Sequence, residues 1–217
     1  MTDYQTRRKT MVDTQIRPSD VTKFPIIEAF LSVPREKFVP DGKREAAYIG
    51  ENFKIGQSRV ILEPRTLAKL LDALDIRNDE LVLDIGPGLG YSSAVISPMA
   101  EVVIAVEDDS SMANEAEEIL TEVGADNVVI QIGKLEDGAP EHGPYDVIIL
   151  QGGVEKIPSS ILNQLKNGGR VGAIFVEEGL GTAKIGFKLN DKINWRYSFN
   201  AAAPVLPGFF KQKDFVL

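Results

Sequence analysis

From residue 64 to residue 176 the chain alternates short apolar runs with stretches whose apolar positions recur every three or four residues. Pro64 opens a predicted helix in which Leu67, Leu70, Leu71 and Leu74 form one stripe. Leu81 to Ile85 is a continuous apolar run, the size of one fully buried strand. Helix-compatible spacing resumes over 91–99, a strand is predicted at 102–106, and a helix from about Ser110 to Val123 carries Met112, Ala116, Ile119, Leu120 and Val123 on one face. Strands at 127–132, 145–150 and 170–176, with a helix opened by Pro158, complete five units. Strands alternating with helices predict an α/β fold with a parallel sheet covered on both faces. Beyond Val176, Trp195–Phe199 and Phe209–Val216 are short, aromatic and β-rich, and read as a terminal antiparallel pair. Ahead of Pro64, one helix is expected over 1–16 and a second from about Lys23 to Pro34, burying Ile26, Ile27, Phe30 and Leu31. Residues 41–63 look irregular, with Tyr48, Phe53 and Ile55 as anchors. The expected organisation is a single domain over 1–217, in which 1–63 caps a sheet formed by 64–217.

Composition narrows what this fold can do. The 217 residues are 43% hydrophobic, ordinary for a chain with a well-buried core. With no cysteine and one histidine, thiol nucleophiles and cysteine-ligated metals are excluded, and no metal site is expected. A net charge of −8 and a pI near 4.8 argue against nucleic acid as the main partner. No apolar run is long enough for a membrane span, and the N-terminus lacks an apolar signal core, so a cytoplasmic protein without a membrane partner is expected.

The candidate chemistry sits after the strand that ends at Ile85. Gly86, Gly88 and Gly90 recur every second residue, giving a turn that bends sharply and leaves its backbone open to a ligand. A dinucleotide fingerprint would place its third glycine at position 91, which is Tyr91. Gly-x-Gly-x-Gly after an acidic residue, here Asp84, is instead the pattern of S-adenosylmethionine sites, where Asp84 could lie near the cofactor's cationic end. Glu107 ends the next predicted strand, placed to accept from two ribose hydroxyls. The bland alternative is an ordinary strand-to-helix turn with a solvated glutamate. A nicotinamide oxidoreductase is disfavoured by the position of Gly90.

Two regions coincide with one family. Met11 to Ile16, Val33 to Pro40 (Val-Pro-Arg-Glu-Lys-Phe-Val-Pro), Ala47-Tyr48, Ile55-Gly56 and Glu63-Pro64 resemble the N-terminal half of protein-L-isoaspartate O-methyltransferases. Asp84 to Tyr91, Glu107, Asn127-Val128, Pro144-Tyr145-Asp146, Ile157-Pro158, Gln164-Leu165 and Gly168-Gly169-Arg170 continue the match in register. The resemblance implies the class I S-adenosylmethionine-dependent methyltransferase (Rossmann-like) fold, with a mostly parallel seven-stranded sheet, a seventh strand antiparallel between the fifth and sixth, and a helical cap. It implies carboxyl methylation of isoaspartyl residues in damaged proteins or peptides. Carried onto this chain, it assigns Asp84, Gly86, Pro87, Gly88, Tyr91, Glu107, Asp108, Gly133, Lys134 and Leu135 to S-adenosyl-L-methionine, and Arg59, Val60 and Leu62 to the methyl acceptor.

The chain departs from the pattern mainly on the acceptor side. The family's Thr-Ile-Ser triplet is Val60-Ile61-Leu62, so a side chain that cannot donate a hydrogen bond replaces the serine. Ser58 is the nearest hydroxyl and a weak catalytic candidate. Lys134 stands where the family has an acidic residue, and Gln151-Gly152-Gly153 where it has an alanine-rich stretch. Lys54, Arg59 and Arg65 either supply charge to an anionic acceptor or form a solvated rim. His142 reads as surface, Trp195 as sheet core, and Glu177 to Gly181 as an acidic turn or a flexible lid. The same fold acting on another acceptor, or a non-catalytic S-adenosylmethionine-binding module, remain the competing readings.

Overall fold

The computed structural model describes residues 3–211. Asp3 caps α1 (Tyr4–Met11) by accepting from the Thr6 amide at 3.0 Å. The path then widens into a π-helical Val12–Ile16 and tightens into a 3-10 turn at Arg17–Ser19, so the helix expected over 1–16 exists in two windings. In α2 (Phe24–Ser32), Pro25 occupies the first turn, where no amide donor is needed, and Ile26, Ile27 and Phe30 are buried. Leu31, expected in that buried stripe, is 37% exposed. Two 3-10 turns, Arg35–Phe38 and Asp41–Ala46, lead into an antiparallel hairpin of β1 (Phe53–Lys54) and β2 (Val60–Ile61). Strands of two residues carry no alternation to read, which is why 41–63 looked irregular.

The main sheet is built from α3 (Pro64–Leu74), β3 (Leu81–Ile85), α4 (Tyr91–Ile96), β4 (Val102–Glu107), α5 (Ser110–Glu122), β5 (Val128–Ile132), β6 (Tyr145–Val154), α6 (Ser159–Asn163), β7 (Leu165–Glu177), β8 (Leu180–Leu189) and β9 (Lys192–Asn200). Its order is β5-β4-β3-β6-β7-β8-β9, parallel through β7 and antiparallel thereafter. Successive β3 side chains enter opposite cores: Val82 packs with α3, α4 and the N-terminal cap, while Leu83 and Ile85 pack on the α6 side. The strand order reverses at β3, with β4 on one flank and β6 on the other. In such sheets the crevice at the carboxyl end of that strand is where ligands lie.

The C-terminal strands depart from expectation in place rather than in kind. Glu178 and Gly179 have φ of +51° and +83°, and Asn190 and Asp191 have φ of +50° and +59°. Both are two-residue hairpin turns of the kind whose positive φ angles match strand twist. Glu177 to Gly181 is therefore the β7–β8 turn with its flanking residues and not a lid. Turns this short force neighbouring strands to pair, so β8, not the last strand, lies antiparallel beside β7, and β9 takes the edge. Trp195 falls in β9 and is half-buried, packing edge-on against Phe175 at 4.8 Å, in place of the sheet-core position expected. Of the other predicted partner, Phe209–Val216, residues 209–211 are not strand and 212–216 lie outside the described residues. Among the described residues, no helix is long and apolar enough to cross a membrane.

Candidate active site

Between β3 and α4 the chain turns through Gly86, Gly88 and Gly90 at φ of +75°, +61° and +92°, a region that side chains rarely tolerate. The Gly86 amide donates to the Val106 carbonyl at 2.9 Å, and the Gly88 amide to Glu107 Oε2 at 2.8 Å. The turn is thus fastened to the carboxyl end of β4, and Glu107 points its carboxylate under it. Pro87 is buried within the loop, where its carbonyl accepts from Gly90.

Glu107 is fully buried and has every acceptor position engaged. Oε1 accepts from the amides of Asp108 and Asp109 at 3.1 and 3.2 Å, and Oε2 from Gly88 and from Arg59 Nη2. The other arm of the guanidinium, Nη1, reaches Asp108 Oδ1 at 2.5 Å. Burial pushes the Glu107 carboxyl above its usual range, and the Arg59 charge opposes that shift. Arg59 belongs to the turn of the β1–β2 hairpin, where its carbonyl accepts from Ile55 and Gly56. Its Nη2 would lie 3.1 Å from a Cβ placed on Gly86, and a Cβ on Gly88 would overlap Ile55 Cδ1. From the opposite side, Leu206 covers Gly86 and Gly152. The chain's own Ile55, Arg59 and Leu206 therefore fill the space above the glycine turn.

Asp84 occupies a different place from the one expected. It is fully buried beneath the turn, accepting from Ser92 Oγ at 2.6 Å and Ser93 Oγ at 2.7 Å on one oxygen, and from Gln151 Nε2 at 2.6 Å on the other. Burial raises its pKa while these donors and Arg59 oppose the rise. Its task is to join the start of α4 to the end of β6. The sequence shows no sign of Ser92, Ser93 or the structural role of Gln151, because the first two donate back across the glycine turn from the first turn of α4 and the third from a neighbouring strand 67 residues away, and no period links such positions.

Tyr91 also turns away from the glycine loop. It is fully buried in the cap, under the Arg35 guanidinium at 4.6 Å and edge-on to Phe38 and Phe30. Among the described residues its hydroxyl has no partner in hydrogen-bond geometry. Tyr91→Phe is accordingly expected to change urea stability by less than about 1 kcal/mol; a loss above twice that would show that the hydroxyl carries a bond.

Other predicted residues divide. Gly133 adjoins the site, its amide donating to the Glu107 carbonyl at 3.0 Å, but Lys134 is exposed and Leu135 is fully buried in the α6-side core. Asp108 is present as the second anchor of Arg59. Val60 is half-buried against the cap core, and Leu62 is 1% exposed within it. The Leu62 side chain is therefore part of the cap core, and its carbonyl accepts from Arg35 Nη2 at 3.0 Å. Ser58 is half-buried on the hairpin turn beside Arg59. Lys54 and His142 are exposed, and Arg65 stacks over Phe199. No group of three or more His, Asp or Glu among the described residues is placed to hold a metal.

The groups assembled here are of the kind S-adenosylmethionine calls for: a buried carboxylate at the end of β4, and bare backbone over β3. A parallel sheet bearing a Gly-x-Gly-x-Gly turn after its central strand, with a carboxylate ending the neighbouring one, defines the class I methyltransferase architecture.

Comparison with known proteins narrows the class to one family. The family profile for protein-L-isoaspartate(D-aspartate) O-methyltransferase matches residues 6–195, and the chain belongs to that family. The protein-L-isoaspartate O-methyltransferase of Syntrophus aciditrophicus is 39% identical over 171 residues, covering 79% of this chain and 78% of that protein. A solved protein-L-isoaspartate O-methyltransferase superimposes with a TM-score of 0.81 at 26% identity, over 93% of this chain and 66% of that one. A Plasmodium falciparum protein assigned to the same activity, solved in complex with S-adenosyl-L-homocysteine, superimposes with a TM-score of 0.78 at 18% identity, covering 95% and 99% of the two chains, and attests the shared fold.

Proposed function

We propose that this protein transfers a methyl group from S-adenosylmethionine to the carboxylate of L-isoaspartyl residues in damaged proteins or peptides. The observation that carries the reading is the family match over residues 6–195, joined to a glycine turn and a buried Glu107 at the ends of adjacent parallel strands. When bound, S-adenosylmethionine would supply an electrophilic methyl carbon whose bond to sulfur breaks as the bond to the acceptor oxygen forms, with a neutral thioether as leaving group. The acceptor carboxylate is already ionised near neutral pH, so no general base is required. What remains for the chain is alignment and exclusion of water. Glu107 would hold the ribose, the backbone of Gly86 and Gly88 would lie against the cofactor, and Leu206 would provide an apolar cover. With Leu62 turned into the core, the residues on the acceptor side are Ser58, Arg59 and Val60 of the hairpin. A neutral hydrogen-bond donor lost from a charged acceptor costs about 1.5 to 3 kcal/mol, which slows such a reaction without abolishing it.

The test is methyl transfer from labelled S-adenosylmethionine to an isoaspartyl peptide beside its aspartyl twin. Selective, base-labile labelling of the isoaspartyl peptide is expected. Equal labelling of the two, or none while the cofactor binds, would move the protein to another acceptor or to a non-catalytic role.

A further inference from the structure

We infer that Arg59 is an internal ligand of Glu107 that competes with the cofactor's ribose, and so sets the affinity of the site. This rests on the reading of the site as one for S-adenosylmethionine. A carboxylate offers about four lone-pair positions, and all are taken at Glu107. Three are held by the amides of Gly88, Asp108 and Asp109, which belong to the two loops that define the site. The fourth is held by the Arg59 guanidinium. A ribose hydroxyl can reach Glu107 only by taking the place of the guanidinium.

The same hairpin supplies the other obstruction. Ile55 opposes Arg59 across the hairpin turn and its Cδ1 lies against Gly88, so one displacement of residues 55–59 clears both the carboxylate and the backbone of the glycine turn. That displacement breaks the ion pairs of Arg59 with Glu107 and Asp108, the first of them between side chains 7% and 0% exposed. Apparent affinity falls by the fraction of molecules in which the pair is open. Because the hairpin also carries Ser58 and Val60, the movement that admits the cofactor repositions the acceptor side as well. Arg59 is thereby a residue through which the two halves of the site are coupled.

Calorimetry with S-adenosylhomocysteine on the full chain tests this without requiring turnover. Arg59→Ala is expected to bind about tenfold tighter than the wild type or better. Arg59→Lys, whose single ammonium cannot fork to both carboxylates, is expected to fall between them. The gain should vanish for an analogue lacking both ribose hydroxyls. Affinity in Arg59→Ala equal to or weaker than a measurable wild-type value would overturn the competition while leaving the cofactor reading intact. So would a gain fully retained with the analogue. If Arg59→Ala does not fold, Arg59→Lys decides, and no tightening there overturns the inference. Absence of binding in the wild type and both variants would bring down the cofactor reading and the inference together.

Discussion

Replacing Glu107 by alanine should weaken S-adenosylhomocysteine binding by about a hundredfold, measured by calorimetry on protein shown to be folded. The estimate follows from losing a charged acceptor for ribose hydroxyls, with hydrogen bonds to charged groups worth about 1.5 to 3 kcal/mol each. The carboxylate also receives the Gly88 amide, so its removal loosens the glycine turn that the cofactor lies against. Glu107→Gln keeps the shape and one acceptor oxygen and should sit between the wild type and alanine. Because burial already raises the Glu107 pKa, the glutamine variant also approximates the protonated acid, and affinity should decline as pH falls through the raised value. Unchanged affinity in Glu107→Ala would remove this residue from the cofactor site.

Arg170→Ala should cost about 3 kcal/mol of folding stability in urea near neutral pH. Arg170 forks onto Glu80 at 2.6 and 2.8 Å and also donates to the Leu74 and Asp75 carbonyls at 2.8 and 2.7 Å, tying the end of α3 to β7. Burial alone would raise the Glu80 pKa, but bonding to Arg170 and to the Arg77 amide outweighs it and leaves the group lowered. A lowered carboxylate contributes stability above its unfolded value of about 4.3, and that contribution is lost as pH falls through the folded value. Without Arg170 only the Arg77 amide opposes burial, the lowering is lost, and the variant is penalised most where Glu80 is ionised. The gap between the two proteins should therefore be widest near neutral pH and narrow below about 4.3. A constant gap from neutral to acid pH would assign the loss to the two carbonyls and to packing.

What could be read from the chain in advance was whatever the backbone itself dictates. The glycine turn, the carboxylate ending β4 and the five parallel units follow from local spacing, and they fall where that spacing put them. The side chains that fill the site come from elsewhere: Arg59 meets Glu107 across 48 residues, and Leu206 reaches Gly86 from beyond the sheet. No period connects such pairs. Tyr91 and Leu62 were placed by analogy of position, yet a side chain's direction out of a loop or a two-residue strand depends on the core it meets. The cap, with Phe30, Phe38 and Arg35, draws Tyr91 inward, and Leu62 joins the same core. β8, by contrast, is marked by a local signal. Asn190-Asp191 is a turn signal in its own right, since both residue types tolerate positive φ.

The two segments that close the site are joined to each other and to the end of β6 by a small set of bonds. Asn52 Nδ2 donates to the Ala202 carbonyl at 2.6 Å, Gly153 donates to Pro204 at 2.8 Å, and Leu206 returns a bond to Gly153 at 2.9 Å. β3 beneath, by contrast, is paired with parallel neighbours on both sides. The opening inferred for residues 55–59 would therefore be a sub-global event, with a free-energy gap of its own. Mutation can shift the population of open molecules at Asn52 or along 201–206 without weakening the parallel strands, so access to the site and durability of the fold are free to evolve separately.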